Sequence, residues 1–223
     1  MTSPKRLLRG SYRNILECYE RADESSREHG RVWYLQARDM AGDVGEACIQ
    51  TYYPYGYTEE GQLAENVLEY HELVQLGAGI IASLSPQTAW DKNIEGALHF
   101  SKTLEKPKFT TDTNYNKALN IFHSCTSGDF TDIETILGEK AYKTKAFYNN
   151  ICNPDGDYGV TIDRHAISIY LGKPCTKQQL SRGLDSKRTN DTVRTSYMRV
   201  ANMLGIHHNV LQATTWVQWR KER

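Results

Sequence analysis

Leu73-Val74-Gln75-Leu76-Gly77-Ala78-Gly79-Ile80-Ile81-Ala82-Ser83-Leu84-Ser85-Pro86 is the stretch on which the fold turns. Its apolar pattern starts at Leu63, Val67 and Leu68 and continues to Leu84. Such a helix belongs at the centre of a core rather than on its rim. Gly77 and Gly79 leave room for a neighbouring backbone to approach closely. Ser85 followed by Pro86 predicts the next helix start, a capping side chain with proline at the first helical position. Trp90, Ile94, Ala97 and Leu98 keep the following stripe in phase until Lys106-Pro107.

Working outward, Ile15, Tyr19, Val32, Leu35, Met40, Val44 and Ala47 recur at helical spacing and predict two amphipathic helices, with Asp23 to Gly30 as the polar break between them. Tyr52-Tyr53-Pro54-Tyr55-Gly56-Tyr57 reads as a loop, whose tyrosines either stack on bases or pack their own rings. Further helices are expected at Asn116 to Ser124, Asp132 to Leu137, Lys143 to Ile151, Asp163 to Leu171, Asp191 to Leu204 and Val210 to Arg220. Strand signals are almost absent. The expectation is an all-α protein, an irregular bundle of about ten helices, in a single domain over residues 1–223 with two lobes.

The composition sets limits on function. With 223 residues and 39% hydrophobic content, the chain can bury one core or two small lobes that share a cleft. Lys and Arg total 27, as do Asp and Glu, so no global positive field points to nucleic acid. A local excess does occur: Lys173, Lys177, Arg182, Lys187, Arg188, Arg194 and Arg199 against Asp185 and Asp191, seven minus two. That stretch reads equally as a phosphate contact and as a solvated face. Cys18, Cys48, Cys125, Cys152 and Cys175 are far apart, which excludes a Cys-x-x-Cys zinc site or an iron-sulfur run and predicts free thiols in a reducing compartment. His207-His208 is a poor metal pair, and no metal or cofactor is expected. Met1 to Gly10 is basic without the apolar stretch of a secretory signal, and no apolar run reaches the length of a membrane span, so a cytoplasmic protein is expected.

Three segments resemble the helix-hairpin-helix DNA glycosylases of the endonuclease III type, in the order that family has them. Leu84-Ser85-Pro86-Gln87-Thr88 is similar to its Leu-Ser-x-Gln signature, and Lys117-Ala118-Leu119-Asn120-Ile121 to its Lys-Ala-x-x-Ile segment. Val160-Thr161-Ile162-Asp163-Arg164-His165-Ala166, followed by Leu171-Gly172, is the strongest match, to Val-Asp-Thr-His. Between the second and third, Leu137-Gly138-Glu139-Lys140-Ala141-Tyr142-Lys143-Thr144-Lys145 stands where the family has Leu-Pro-Gly-Val-Gly-Arg-Lys-Thr. The paired glycines are missing, so the hairpin is degenerate, and Lys140, Tyr142, Lys143 and Lys145 occupy its place. The iron-sulfur cysteines of the family are absent as well. The resemblance covers residues 77–172. The terminal Leu211-Gln212-Ala213-Thr214-Thr215-Trp216-Val217-Gln218-Trp219-Arg220, taken with the Gln87 and Asp163 segments, looks more like a phage branch of this scaffold. That branch includes the glutamyl/putrescinyl thymine pyrophosphorylases of DNA hypermodification. A phage origin implies the host cytoplasm.

The resemblance implies an enzyme acting on DNA, with Asp163 and Gln87 facing one cleft. Cleaving an N-glycosidic bond develops positive charge on the sugar, so the site needs a fixed carboxylate near C1′. Asp163, after apolar Val160-Thr161-Ile162 and before a helix, suits that need; its plainer role is an N-cap. Gln87 corresponds to the glutamine that fills the gap left by a flipped base. Lys143 matches the family's Lys-Thr dipeptide, whereas Lys145 lies closer to its spacing from the aspartate. Either is a candidate to form a Schiff base, and both, with Lys140 and Tyr142, are candidates to contact DNA. Arg164 and His165 complete the expected DNA-facing set. Trp90 is expected in the core, and Trp216, Trp219 and Arg220 to dock the last helix. Three functions stay open: a DNA N-glycosylase, a transferase attaching an amine or amino acid to an activated thymine-derived base, and a non-catalytic DNA-binding module.

Overall fold

The computed structural model describes residues 9–52 and 68–223, and all the regular structure over them is helical, with eleven helices and no strand. Leu63, Val67 and the tyrosines from Tyr53 to Tyr57 lie outside the described residues. The chain divides into two compact units. The first comprises the residues up to Tyr34, Lys140–Ala146 and Asp155–Arg223; the second comprises Leu35–Glu139 and Phe147–Pro154.

In the first unit α1 (Tyr12–Glu20), α8 (Arg164–Leu171), α10 (Lys187–Leu204) and α11 (His208–Lys221) pack around one apolar cluster. Ile15, Ile162, Ile167, Val193, Tyr197, Val200 and Leu211 are its sealed members. Each such side chain contributes roughly 1.5–3 kcal/mol by leaving water. Between α8 and α10 lies α9 (Lys177–Asp185), a helix the apolar pattern does not predict. Only Leu180 and Leu184 give it an apolar side. Its start is written instead in a Thr-x-x-Gln capping box: Gln179 N–H donates to Thr176 Oγ1 (3.2 Å) and Thr176 N–H to Gln179 Oε1 (2.9 Å).

The expected polar break at Asp23 to Gly30 is a correction. The break is confined to Arg21–Asp23, and α2 (Glu24–Tyr52) passes straight through Gly30. Asp23 Oδ1 accepts from Ser26 N–H (2.9 Å) at the helix start. Gly30 sits inside the helix because a Cβ there would lie 2.0 Å from Thr214 Oγ1 of α11.

The second unit is built on α3 (Tyr70–Leu84), buried without interruption from Leu76 to Leu84. It packs on α4 (Trp90–Thr103), α5 (Asp112–Thr126) and α6 (Ile133–Leu137). Its crossing with the later part of α2 is a backbone contact: a Cβ on Gly77 would lie 1.8 Å from Ala41 O, and one on Gly45 2.1 Å from Leu73 O. Gly79 instead faces the side chains of Ile121 and Ile133. Asn93 Nδ2 of α4 donates to Ile81 O (3.1 Å), satisfying a carbonyl of the last turn of α3. Lys117 Nζ donates to Leu137 O and so caps the C-terminus of α6 with a positive charge.

Ser85-Pro86 does not start a helix as expected. Ser85 closes α3 instead, its Oγ donating to Ala82 O (2.9 Å), and Thr88 N–H donates to Ser85 O (3.2 Å) to form a turn. Pro86 takes the first central position of that turn, where its fixed φ fits, and Gln87 the second with φ +63°. A residue in the left-handed region cannot continue a right-handed helix, so α4 begins only at Trp90. It ends at Thr103 on Leu104, also left-handed at φ +52°.

The Gly77 contact makes a testable demand. Gly77→Ala drives a methyl into a carbonyl that cannot move without parting two helices, and should cost about 2 kcal/mol or more in chemical denaturation. Gly42→Ala meets only the tip of the Tyr70 ring at 3.0 Å. It should stay within about 1 kcal/mol of the parent protein, because the ring can shift and alanine favours the helix.

Candidate active site

Asp163 is the N-cap of α8, with extended backbone (φ −110°, ψ −171°), and its Oδ1 accepts from Ala166 N–H at 2.8 Å. The side chain is half-buried. Capping occupies one carboxylate oxygen; Oδ2 has no hydrogen-bond partner among the described residues. The N-cap role is therefore formed, and it engages only one of the two carboxylate oxygens.

Two residues on, His165 sets its ring edge-on to Trp216, centroids 6.2 Å apart and planes at 88°. Burial lowers the imidazole pKa below its ordinary value; the charges of Arg220, Arg164 and Lys143 lower it further, and Asp163 opposes them. The neutral ring is thus favoured at neutral pH, a state that can both donate and accept. Arg220 lies over the Trp216 ring at 4.6 Å, and Trp33 of α2 meets the same indole at 6.0 Å. Trp219 is buried and docks α11 as expected, whereas Trp216 stands half-buried beside His165.

Two residues before Asp163, Thr161 joins a buried network. Tyr34 Oη lies 2.9 Å from Thr161 Oγ1 and 3.0 Å from Gln212 Oε1. Sequence reasoning missed Trp33, Tyr34 and Gln212. One signal was present: Gln212, Trp216 and Arg220 recur at i, i+4 and i+8 and so share a face of α11.

Of the hairpin lysines, Lys143 is the one whose charge acts on His165. Lys145 leaves α7 (Tyr142–Cys152) about 200° further round the helix axis. Lys143, Lys145 and Tyr142 are half-buried in its first turns, and Lys140 and Arg164 are exposed. The turn before α7 keeps one glycine, Gly138, at φ +108° and ψ 144°, a conformation other residues rarely adopt. Gln87 belongs to the second unit, where it is exposed on its turn, and Trp90 packs against Phe147 with centroids 6.2 Å apart.

In the basic stretch, Asp191 pairs with both Lys187 and Arg194 at 3.1 Å, and Arg199 lies over the Tyr12 ring at 3.9 Å. Part of its charge is therefore spent within the fold. All five cysteines are free, and burial pushes Cys18, Cys125 and Cys152 up to about 12 and Cys48 to about 11, so these four stay protonated at neutral pH. Among the described residues no three His, Cys, Asp or Glu side chains come together to hold a metal ion, and no helix is long and apolar enough to cross a membrane.

Residues 55–223 match a family described as a family of unknown function, DUF7178. The chain belongs to that family. No curated protein and no solved structure matches it. The span shared with DUF7178 holds Gln87, the hairpin lysines, the Asp163 segment and the Gln212-Trp216-Arg220 face, whereas Trp33 and Tyr34 precede it.

His165 and His208 fix a pH response. Burial lowers both; His207 lowers His208 further and Asp157 opposes it. The folded protein then binds fewer protons than the unfolded chain below the ordinary histidine value of about 6.5. Stability is full above that value and falls as pH drops through it. Chemical denaturation should give a lower midpoint at about pH 5.5 than at about pH 7.5, and His165→Gln should remove part of the difference. An unaltered pH response in that variant assigns the effect elsewhere.

Proposed function

We propose that the protein is a DNA base-processing enzyme on a glycosylase-like scaffold, with Asp163 as the carboxylate beside C1′ of a flipped nucleotide. The observation that carries this reading is the setting of Asp163: half-buried, one oxygen fixed by the α8 cap and the other without a partner among the described residues, two residues from an imidazole that burial keeps neutral and that feels the charges of Arg220, Arg164 and Lys143. As the base departs, positive charge grows on the sugar, and a carboxylate held in place stabilises it without reorganising. The same carboxylate orients the attacking water. The surrounding cations suit the flanking phosphates, and Lys143 or Lys145 supplies an amine for attack on C1′ if the enzyme is also a lyase.

A second reading, transfer of an amine or amino acid to an activated thymine-derived base, draws on the balanced charge of 27 against 27 and a hairpin without paired glycines. Both features favour a specialised substrate over tight generic duplex binding. Mass analysis of nucleosides separates the readings. A free base released from normal or hydroxymethyluracil-containing DNA supports hydrolysis; a heavier nucleoside, formed only with an activated pyrimidine and an amine donor, supports transfer. Binding without either product leaves a DNA-binding module.

Asp163→Asn should cut turnover by roughly a hundredfold or more. Stability should change by about 1 kcal/mol or less, since Asn caps nearly as well as Asp. Full activity in this variant misplaces the site, and parallel loss of stability and activity reduces Asp163 to a cap. Gln87→Gly relieves a left-handed backbone that costs a non-glycine residue about 1 kcal/mol. The variant should be at least as stable as the parent while losing action on duplex DNA; undiminished action removes Gln87 from base flipping. Charge reversal of Lys140, Lys143 and Lys145 should weaken DNA binding and flatten its salt dependence, and unchanged affinity at low and high salt removes the hairpin from the interface.

A further inference from the structure

Gln212 is more than nine-tenths buried on α11, with 7% of its surface exposed. Its Oε1 is held by Tyr34 Oη at 3.0 Å. A carboxamide oxygen only accepts, so this bond sets the amide plane and directs Nε2 away from Tyr34. Nε2 has no hydrogen-bond partner among the described residues. It is also not one of the sealed, unpartnered polar atoms of this unit, which include Thr214 Oγ1 and His208 Nε2. Unlike those sealed atoms, an oriented donor at the open edge of a nearly buried amide can be reached by an acceptor from outside the fold.

Its position relates it to Asp163. Through Tyr34 the amide is tied to Thr161, two residues before Asp163 in the chain. One turn further along α11, Trp216 meets His165, two residues after Asp163. The Gln212-Trp216 interval is thus linked, at one end through Tyr34 and at the other directly, to residues two positions before and two positions after Asp163.

We propose that Gln212 is the specificity-determining residue of the Asp163 site, donating its Nε2–H to a carbonyl oxygen or ring nitrogen on the edge of the substrate's nucleobase. The inference rests on the reading of Asp163 as a base-processing site. Single-stranded oligonucleotides that differ only in one central base, with an abasic one as reference, can be titrated against the full chain by following tryptophan fluorescence. Gln212→Glu keeps the acceptor for Tyr34 and deletes the donor; Gln212→Leu deletes both polar atoms at similar volume.

The parent protein should rank the bases, and both variants should lose roughly tenfold to a hundredfold of affinity for the preferred base. Affinity for the abasic oligonucleotide should hold, as should the melting temperature of at least one variant. A parent that ranks the bases and variants that keep the same ranking overturn the inference alone. A parent that binds all the oligonucleotides equally, or none of them, overturns the inference together with the base-processing reading. A uniform loss over every oligonucleotide, the abasic one included, assigns Gln212 a structural role and overturns the inference as well.

Discussion

Both units depend on a contact that side chains would prevent: the approach of another helix to α2 at its glycines. In the first unit Gly30 receives Thr214 of α11, and in the second Gly45 receives the backbone of α3 while Gly77 of α3 receives the carbonyl of Ala41. Helices ordinarily pack 8–10 Å apart on interdigitated side chains. Removing Cβ lets backbones touch, which maximises dispersion contacts but leaves nothing able to yield. The rest of each unit is arranged around these points. α4, α5 and α6 cover the rest of α3, whose ten buried positions result, and α1, α8 and α10 cover the rest of α11.

α11 carries an unusual burden for an interior helix. His208, Asn209, Gln212, Thr214, Thr215 and Gln218 are all buried on it. Several find partners: Thr215 Oγ1 bonds to Leu211 O at 2.9 Å, Gln212 to Tyr34, and Ser26 Oγ lies 3.3 Å from Gln218 Oε1. Burying this many polar groups brings little stability, since each hydrogen bond contributes only about 1 kcal/mol net while an unmade one costs more. The value of the partnered ones lies in orientation, because a hydrogen-bonded side chain is held in a geometry that apolar packing leaves looser. The Asp163 neighbourhood borders this network and shares Thr161 with it.

A second local cost sits at the α3–α4 turn. Gln87 holds φ +63° on an exposed turn where glycine or asparagine would be unstrained. Gly138, by contrast, takes its left-handed backbone with the one residue that does so without strain.

Sequence alone determined the helical class, the central place of the Leu73 to Leu84 segment and the capping position of Asp163. These are encoded in a local period and a local side-chain-to-backbone bond, both legible over a few residues. It misread the start of α2, the turn at Ser85-Pro86 and the existence of α9. In the first case a glycine served a distant partner, and in the second a hydroxyl turned back on the helix before it rather than forward. In the third, a capping box outweighed a thin apolar pattern. What only tertiary structure decided is the company Asp163 keeps. Tyr34 and Gln212 are 178 residues apart, and the bond that joins them depends on how α2 and α11 pack, which no local pattern records.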